Sequence, residues 1–244
     1  MLPKAILLDL DDTILNDSGD VHECWKDACF AHRADLGGID PAALHEAIDR
    51  TREWFWSDPE RHRVGRLDLD AATREVVTLS LAGLADMAGK ERPDPDVAGK
   101  IAMMYRRQRE AVQQPLPGAI DTVRWLRECG CRLALVTNGK GDVQRNKVLR
   151  FGLSELFDSI LIEGEVGFGK PDPRIYVQAL KELAIAAADA WMVGDNLEWD
   201  VAQPQRMGLS GIWIDVRGEG LPAASPVRPN RILRGLSDLR SGRQ

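Results

Sequence analysis

The sequence predicts an α/β fold, with a mostly parallel β-sheet in a core domain and a separate all-helical insert. Short apolar runs alternate with segments of helical periodicity, which is typical of βαβ units and of a parallel sheet covered by helices on both faces. The alternation stops over residues 16–114, where four helical patterns occur without a convincing strand. We therefore assign residues 1–15 and 115–244 to the core domain and residues 16–114 to a helical subdomain inserted after the first strand.

Five short apolar runs are the predicted strands, and their continuity is expected of strands that are buried on both faces. They are Ala5-Ile6-Leu7-Leu8, Leu133-Ala134-Leu135-Val136, Ser159-Ile160-Leu161-Ile162, Trp191-Met192-Val193 and Gly211-Ile212-Trp213-Ile214. Right-handed crossovers between parallel strands place the carboxyl ends of all the strands at one edge of the sheet. Ligands in such sheets bind at that edge.

Helical periodicity fills the segments between the strands. In the core, Tyr176, Leu180 and Leu183 keep a helical spacing after a proline-rich start. In the insert, the first helix has an apolar stripe from Val21 onward, and the other patterns lie near 41–56, 70–88 and 96–112. Cys24, Cys29 and His32 share that stripe, so we expect them to be packing residues. His22, His45 and His62 have no sequence spacing that suggests a metal site.

Composition narrows the classes of function. The chain has 244 residues, with 38 acidic against 32 basic side chains and a net charge of -6, so we expect no nucleic-acid partner. Its 4 cysteines form no C-x-x-C pair, which is typical of a cytoplasmic protein with free thiols. The apolar stretch near the amino terminus ends at Asp9 and is too short for a signal peptide or a membrane span, so we expect no membrane association.

Polar groups that suit phosphoryl transfer follow the predicted strands. Asp9, Asp11 and Thr13 follow the first strand, Thr137 follows the second, Lys170 comes after the third, and Asp195 and Asp200 come after the fourth. Apart from Asp9-x-Asp11, each motif alone is better explained by a turn or a helix cap. Together, at the ends of successive strands, they predict one active site at the edge of the sheet.

The chemistry of these side chains favours a phosphate substrate. A carboxylate such as that of Asp9 is ionised at neutral pH and needs no base to act as a nucleophile, but it is repelled by an anionic phosphoryl group. A divalent cation held by Asp9 and Asp195 would cancel that repulsion, and Lys170 would add a second positive charge. Thr137 could bind phosphate oxygens, while Asp11 could protonate the leaving group and then activate water.

These motifs resemble those of the haloacid dehalogenase superfamily. Residues 7–15, Leu-Leu-Asp-Leu-Asp-Asp-Thr-Ile-Leu, are similar to its first motif, Thr137-Asn138-Gly139 to its second, Lys170-Pro171 to its third, and Gly194-Asp195 with Asp200 to its fourth. The resemblance covers the whole chain, because this family also carries a helical cap between the first and second motifs. It implies a Rossmann-like three-layer core and a Mg²⁺-dependent reaction through an aspartyl-phosphate.

The resemblance also implies roles for individual residues. Asp9 would be the nucleophile and Asp11 the acid and base, with Thr137 and Lys170 as phosphate ligands and Asn138 lining the phosphate pocket. Mg²⁺ would be held by Asp9, the Asp11 carbonyl and Asp195, with Asp200 in support. One departure is Gln203-Pro204-Gln205, where the family has smaller residues; it predicts that the helix after Asp200 starts late or is kinked.

Within the superfamily, hydrolysis of a small phosphorylated metabolite ranks first. A sugar-phosphate mutase on the same core is an alternative, as is a haloacid dehalogenase, although dehalogenases have a non-acidic residue at the position of Asp11 and need no Mg²⁺. Remote alternatives are a non-enzymatic phospho-acceptor signalling domain, whose motifs come in another order, and a catalytically silent interaction protein. Specificity is expected to reside in the cap, and the sequence sets no oligomeric state.

Overall fold

A computed structural model of the chain describes residues 2–241, with Ser241 described through its backbone alone. The chain divides into two compact units. The core unit, Met1–Asp17 and Gln114–Gln244, contains a parallel sheet between helices, and the helical unit is Ser18–Gln113. The predicted fold class, a Rossmann-like α/β core with an inserted helical region, is confirmed.

A parallel sheet of six strands organises the core unit. The strands are β1 (Ala5–Leu8), β2 (Arg132–Thr137), β3 (Ser159–Ile162), β4 (Ala190–Gly194), β5 (Ser210–Ile214) and β6 (Arg231–Leu233), in the spatial order β3-β2-β1-β4-β5-β6. Leu8 of β1 is in register with Leu135 of β2 on one side and with Val193 of β4 on the other. The strand order reverses between β1 and β4, and sheets of this topology bind their ligands at that crevice.

The helical unit contains five α-helices, and no strand occurs among residues 18–113, all of which are described. They are α1 (Val21–Ala31), α2 (Pro41–Ser57), α3 (Pro59–Gly65), α4 (Leu69–Ala88) and α5 (Pro95–Val112). The sequence predicts four helices here, and the additional one is the short α3. Pro59 disfavours a helical conformation at Asp58, so the chain ends α2 there and starts a new helix. Seven residues are too few to display a clear periodicity.

The core unit adds short and long helices between its strands. They are α6 (Ala119–Glu128), α7 (Gly141–Arg150), α8 (Glu163–Val166), α9 (Pro173–Leu183), α10 (Gln203–Arg206) and α11 (Asp238–Ser241). A π-helical turn, Leu197–Ala202, precedes α10. The predicted irregularity around Pro204 is this turn, in which the backbone N–H of Gln203 donates to Glu198 one residue further back than in an α-helix.

The dipeptide Asp-Pro starts four of the helices, and the chemistry of both residues explains why. At Asp40, Asp58, Asp94 and Asp172, the aspartate caps the helix by accepting hydrogen bonds from backbone N–H groups in the first turn. The proline that follows has no N–H to leave unsatisfied, and its fixed φ suits the first helical position. Helix starts are therefore strongly specified by local sequence.

Alternating side chains of the strands fill two apolar layers, one on each face of the sheet. In β1, Ile6 and Leu8 point into one layer with α6, whereas Ala5 and Leu7 point into the other with α9. All four are fully buried, which is why the run has no polar residue. Burying a large aliphatic side chain contributes about 1.5–3 kcal/mol, so these layers hold the sheet edge in place.

The segment after β5 differs from its prediction. The proline-containing stretch is irregular as expected, but Arg231–Leu233 forms β6 at the edge of the sheet. Two of its three side chains are exposed, so the strand has no apolar run to reveal it in the sequence. Across residues 2–241, none of the helices is both long and apolar enough to cross a bilayer.

Candidate active site

Asp9 and Asp195 come together because the strands before them are neighbours. β1 ends at Leu8 and β4 ends at Gly194, and the backbone N–H of Asp9 donates to the carbonyl of Val193 at 3.0 Å. Both aspartates therefore lie beyond the carboxyl ends of adjacent strands, at the crevice where the strand order reverses. The Asp9 side chain is largely buried, at 8% exposure for the residue.

The Lys170 side chain lies between the carboxylates of Asp9 and Asp200. Its ammonium lies 2.8 Å from Oδ1 of Asp9 and 2.7 Å from Oδ1 of Asp200. The Lys170 side chain is 1% exposed and that of Asp200 is fully buried. Burial opposes a charge on Lys170, but the two carboxylates outweigh it and raise the pKa of the ammonium above its ordinary value. Lys170 is therefore a permanent cation beside Asp9.

Three carboxyl groups converge beside Lys170. Asp9, Asp195 and Asp200 each offer an oxygen within 4.8 Å of the others, a spacing that one metal ion could bridge. Burial raises the pKa of Asp9 to about 7, with the charges of Asp200 and Asp11 adding to the effect. Burial and the neighbouring Asp9 and Asp200 raise the pKa of Asp195 to about 9. Oxygen ligands of this kind suit Mg²⁺.

The π-helical turn places Asp200 in the site. Asn196 caps this turn by accepting the backbone N–H groups of Glu198 and Trp199, and Asp200 folds back so that its Oδ2 accepts the N–H of Asn196 at 3.0 Å. Its carboxylate then lies against Gly194, where any Cβ would collide with it. Glycine in the Gly194-Asp195 motif is thus explained by the close approach of Asp200.

Asp11 is held by two residues that sequence reasoning missed. Gln144 donates from Nε2 to Oδ2 of Asp11 at 2.9 Å, and Lys147 donates from Nζ to Oδ1 at 2.7 Å. Lys147 also contacts Asp17 at 3.3 Å. Burial is the main cause that raises the pKa of Asp11, opposed by Lys147. Gln144 and Lys147 lie one turn apart on α7, directly after the Thr137 motif, and that helical spacing was the available signal.

Thr137 and Asn138 are both at the edge of the sheet, but their contacts differ. The Thr137 hydroxyl accepts the same Gln144 amide at 2.7 Å, so Gln144 joins Thr137 to Asp11. Asn138 donates from Nδ2 to the carbonyl of Lys170 and accepts its backbone N–H, both at 2.7 Å. The carboxamide of Asn138 thus fixes the Lys170 backbone, a positioning contact that the sequence did not indicate.

All the predicted site residues therefore lie at one edge of the sheet, in two connected groups. Lys170 joins Asp9 to Asp200, with Asp195 beside them, and Gln144 joins Asp11 to Thr137. The Asp11 carboxylate is not part of the cluster that the carboxylates of Asp9, Asp195 and Asp200 form. The site therefore contains a desolvated carboxyl group, that of Asp9, and a fixed cation, Lys170. It also contains a second carboxyl group, that of Asp11, which has hydrogen-bond donors of its own.

The chain is similar in sequence to known hydrolases. The family model of the haloacid dehalogenase-like hydrolases matches residues 3–208. A phosphoserine phosphatase from Thermus thermophilus is 35% identical over 91% of this chain and 93% of its own. A glyceraldehyde 3-phosphate phosphatase from Methanopyrus kandleri is 28% identical over 86% of this chain and 83% of its own.

Solved structures share the fold over the whole chain. The HAD-hydrolase YfnB from Bacillus subtilis, solved bound to magnesium, is 23% identical, with a TM-score of 0.71 over 99% of this chain and 98% of its own. The prediction of a phosphoric monoester hydrolase is confirmed by the family match and the phosphatase relatives. The chain belongs to the haloacid dehalogenase-like hydrolase family.

Proposed function

We propose that this protein is a Mg²⁺-dependent phosphatase that hydrolyses a small phosphorylated metabolite through an aspartyl-phosphate on Asp9. The observation that carries the proposal is the buried Asp9 carboxylate, paired with Lys170 at 2.8 Å and flanked by Asp195 and Asp200. A nucleophilic carboxylate must approach an anionic phosphoryl group. The positive charge of Lys170, and of a cation held by the acidic residues, would offset the repulsion between the two.

The donor set fits a magnesium ion. The carboxylates of Asp9, Asp195 and Asp200 supply only oxygen. Burial, and next to it the charge of neighbouring carboxylates, raises the pKa of Asp9 and of Asp195, and a divalent cation would favour the charged form of both. Asp9, Asp195 and the Asp11 carbonyl would hold the ion, with Asp200 in support. When bound, Mg²⁺ supplies positive charge that offsets repulsion between the substrate and the carboxylates.

Asp9 attacks phosphorus in the first half of the reaction. The bond from its carboxylate oxygen to phosphorus forms while the bond from phosphorus to the leaving oxygen breaks. Lys170 remains charged and stabilises the negative phosphoryl oxygens. Thr137 binds one of these oxygens through its hydroxyl, and Asn138 keeps the Lys170 backbone in place.

Asp11 transfers a proton in each half of the reaction. Protonated Asp11 gives its proton to the leaving oxygen, and the resulting carboxylate then takes a proton from the water that hydrolyses the aspartyl-phosphate. Phosphate is released and Asp9 is regenerated. An acid at this position distinguishes phosphoryl chemistry from dehalogenation, and Gln144 and Lys147 hold it at both oxygens.

Residues 16–114 would serve as the cap that sets specificity. The relatives named above act on phosphoserine and on glyceraldehyde 3-phosphate, two small monoesters. We propose a substrate of the same size class, bound by its phosphate in the core unit.

The test is turnover of phosphate monoesters by the purified chain. p-Nitrophenyl phosphate should be hydrolysed with Mg²⁺, and chelation with EDTA should abolish turnover. A panel of small phosphorylated metabolites, led by phosphoserine and glyceraldehyde 3-phosphate, should contain a substrate with a higher kcat/KM. A stable phosphorylated protein without turnover would support the phospho-acceptor alternative, and absence of both would contradict the proposal.

Gln144→Leu should reduce turnover in a way that depends on the leaving group. Without the amide that holds Asp11, protonation of the leaving oxygen is impaired, and general acid catalysis is worth roughly 100- to 10,000-fold. An alkyl phosphate has a basic leaving oxygen and needs that proton, whereas p-nitrophenolate leaves without it. The fall in kcat should therefore be larger for the alkyl ester.

The matched control is Gln178→Leu on α9, where the amide contacts Glu182 at 2.9 Å. This variant should hydrolyse both esters like the unsubstituted protein. Equal losses on the two esters in Gln144→Leu would show a general structural effect and would contradict the positioning of Asp11 by Gln144.

A further inference from the structure

We propose that the helical unit binds a first-row divalent transition metal ion, such as Zn²⁺, through His22, His45 and Asp49. This site is separate from the proposed magnesium site, because its three residues belong to α1 and α2 and its donors include two imidazole nitrogens. It is independent of the proposed phosphatase reaction.

The three donor atoms converge although the sequence separates them. His45 and Asp49 are four residues apart on α2 and so lie on one face of that helix. His22 comes from the first turn of α1. Nδ1 of His22 lies 3.7 Å and Nε2 of His45 lies 3.8 Å from Oδ2 of Asp49, and the two imidazole rings are 4.2 Å apart.

The buried ring nitrogen of His45 also supports a metal ion at this site. His45 is 7% exposed, and its buried Nε2 has no hydrogen-bond partner among residues 2–241. Leaving a buried polar atom unpaired costs free energy, and an ion or a water molecule bound at this point would remove that cost.

The spacing of the donors matches a metal ion better than direct hydrogen bonds. The separations from Asp49 exceed hydrogen-bond length. Around a tetrahedral ion with bonds of about 2.0–2.1 Å, neighbouring ligand atoms lie about 3.3 Å apart, slightly closer than the 3.7 and 3.8 Å found here. The His22 side chain is 67% exposed and can turn to make up the difference.

Arg52 orients the carboxylate of Asp49 toward the two histidines. Its Nη1 donates to Oδ1 of Asp49 at 3.2 Å, which occupies one oxygen and leaves Oδ2 directed at the two histidines. Partners of this kind in the outer shell fix the geometry of the ligands themselves.

The nitrogen and oxygen atoms of these side chains determine which class of metal ion fits the site. Magnesium prefers oxygen ligands, whereas two imidazole nitrogens and one carboxylate suit Zn²⁺, Co²⁺, Ni²⁺ or Cu²⁺. With three protein ligands, the fourth position would be taken by water.

The test is calorimetric titration of the full chain, without an affinity tag, with ZnCl₂ in the presence of excess Mg²⁺. One equivalent of Zn²⁺ should bind. Loss of an outer-shell partner costs roughly 10- to 100-fold in metal affinity, and loss of a ligand in His45→Gln, His22→Gln or Asp49→Asn should cost at least as much. Co²⁺ should give the unsubstituted protein a visible absorption band that the three variants lack.

Two control variants test whether Zn²⁺ binds at this cluster and not elsewhere in the chain. His32→Gln changes a histidine outside the cluster, and Asp195→Asn changes the acidic cluster of the core unit; both should bind Zn²⁺ as the unsubstituted protein does. His22 and Asp49 are at the surface, so their variants should stay folded by circular dichroism even if His45→Gln does not. Absence of Zn²⁺ binding, or unchanged affinity in His22→Gln and Asp49→Asn, would overturn the proposal.

Discussion

Asp9→Asn should lose at least roughly a thousandfold in kcat, because a neutral amide oxygen is not a competent nucleophile toward phosphorus. The shape of the side chain is preserved, and Lys170 keeps its contact with Asp200 at 2.7 Å. The variant should therefore fold. Without Mg²⁺ its melting temperature should equal or exceed that of the unsubstituted protein, since one of three crowded carboxyl groups is gone.

Steady-state kinetics on p-nitrophenyl phosphate and thermal unfolding without Mg²⁺ measure the two effects of Asp9→Asn. Asp12→Asn is the matched control, because it makes the same change in the same segment at a half-buried aspartate. It should lose far less activity than Asp9→Asn. Substantial turnover by Asp9→Asn, or an equal loss in both variants, would remove Asp9 from the role of nucleophile.

Lys170→Met should reduce kcat by about 100-fold or more, the range in which loss of one electrostatic stabiliser falls. It should also destabilise the fold, because Asp9 and Asp200 would remain buried without their cation. Breaking a buried ion pair from one side costs about 3–5 kcal/mol. Methionine keeps most of the length of the side chain, so the effect would come from charge.

The loss of stability in Lys170→Met should depend on pH in a defined direction. The pKa of Asp9 is already raised to about 7, and removing the cation raises it further. A carboxyl group with a raised pKa in the folded state favours folding at low pH and loses that contribution as pH rises through the folded-state pKa. The variant should therefore be weakened more at pH 8 than at pH 5 in chemical denaturation.

Lys4→Met is the control for Lys170→Met. Lys4 pairs with Asp189 at 2.9 Å, and both side chains are exposed, so its loss should change the free energy of unfolding by less than about 1 kcal/mol. A destabilisation of Lys170→Met as small as that of Lys4→Met would contradict a structural role for the buried ion pair.

Several parts of the fold could be predicted because they are governed by short stretches of chain. The run Ala5-Ile6-Leu7-Leu8 has no polar residue, as expected of a strand that is buried on both faces. The helices that follow Asp-Pro carry their own start signal. β6 was missed because two of its three side chains are exposed, and α3 was missed because it is too short to show a period.

The position of the acidic residues could be predicted from topology. Asp9 and Asp195 follow apolar runs, and parallel strands end at one edge, so their convergence required no knowledge of side-chain contacts. The contacts of Gln144 and Asn138 could not be predicted in this way. A glutamine on a helix and an asparagine in a turn have many common roles, and only the packed structure shows which groups they reach.

The sequence by itself determined the succession of the five apolar strands and the strongly periodic helices along the chain, and the chemical groups at the strand ends, because periodicity and helix capping act over a few residues. The tertiary structure decided the contacts between distant segments: Lys170 between Asp9 and Asp200, Gln144 between Asp11 and Thr137, and His22 beside His45. The physical reason is that side-chain contacts over such separations depend on how whole elements pack, and no local pattern encodes that packing.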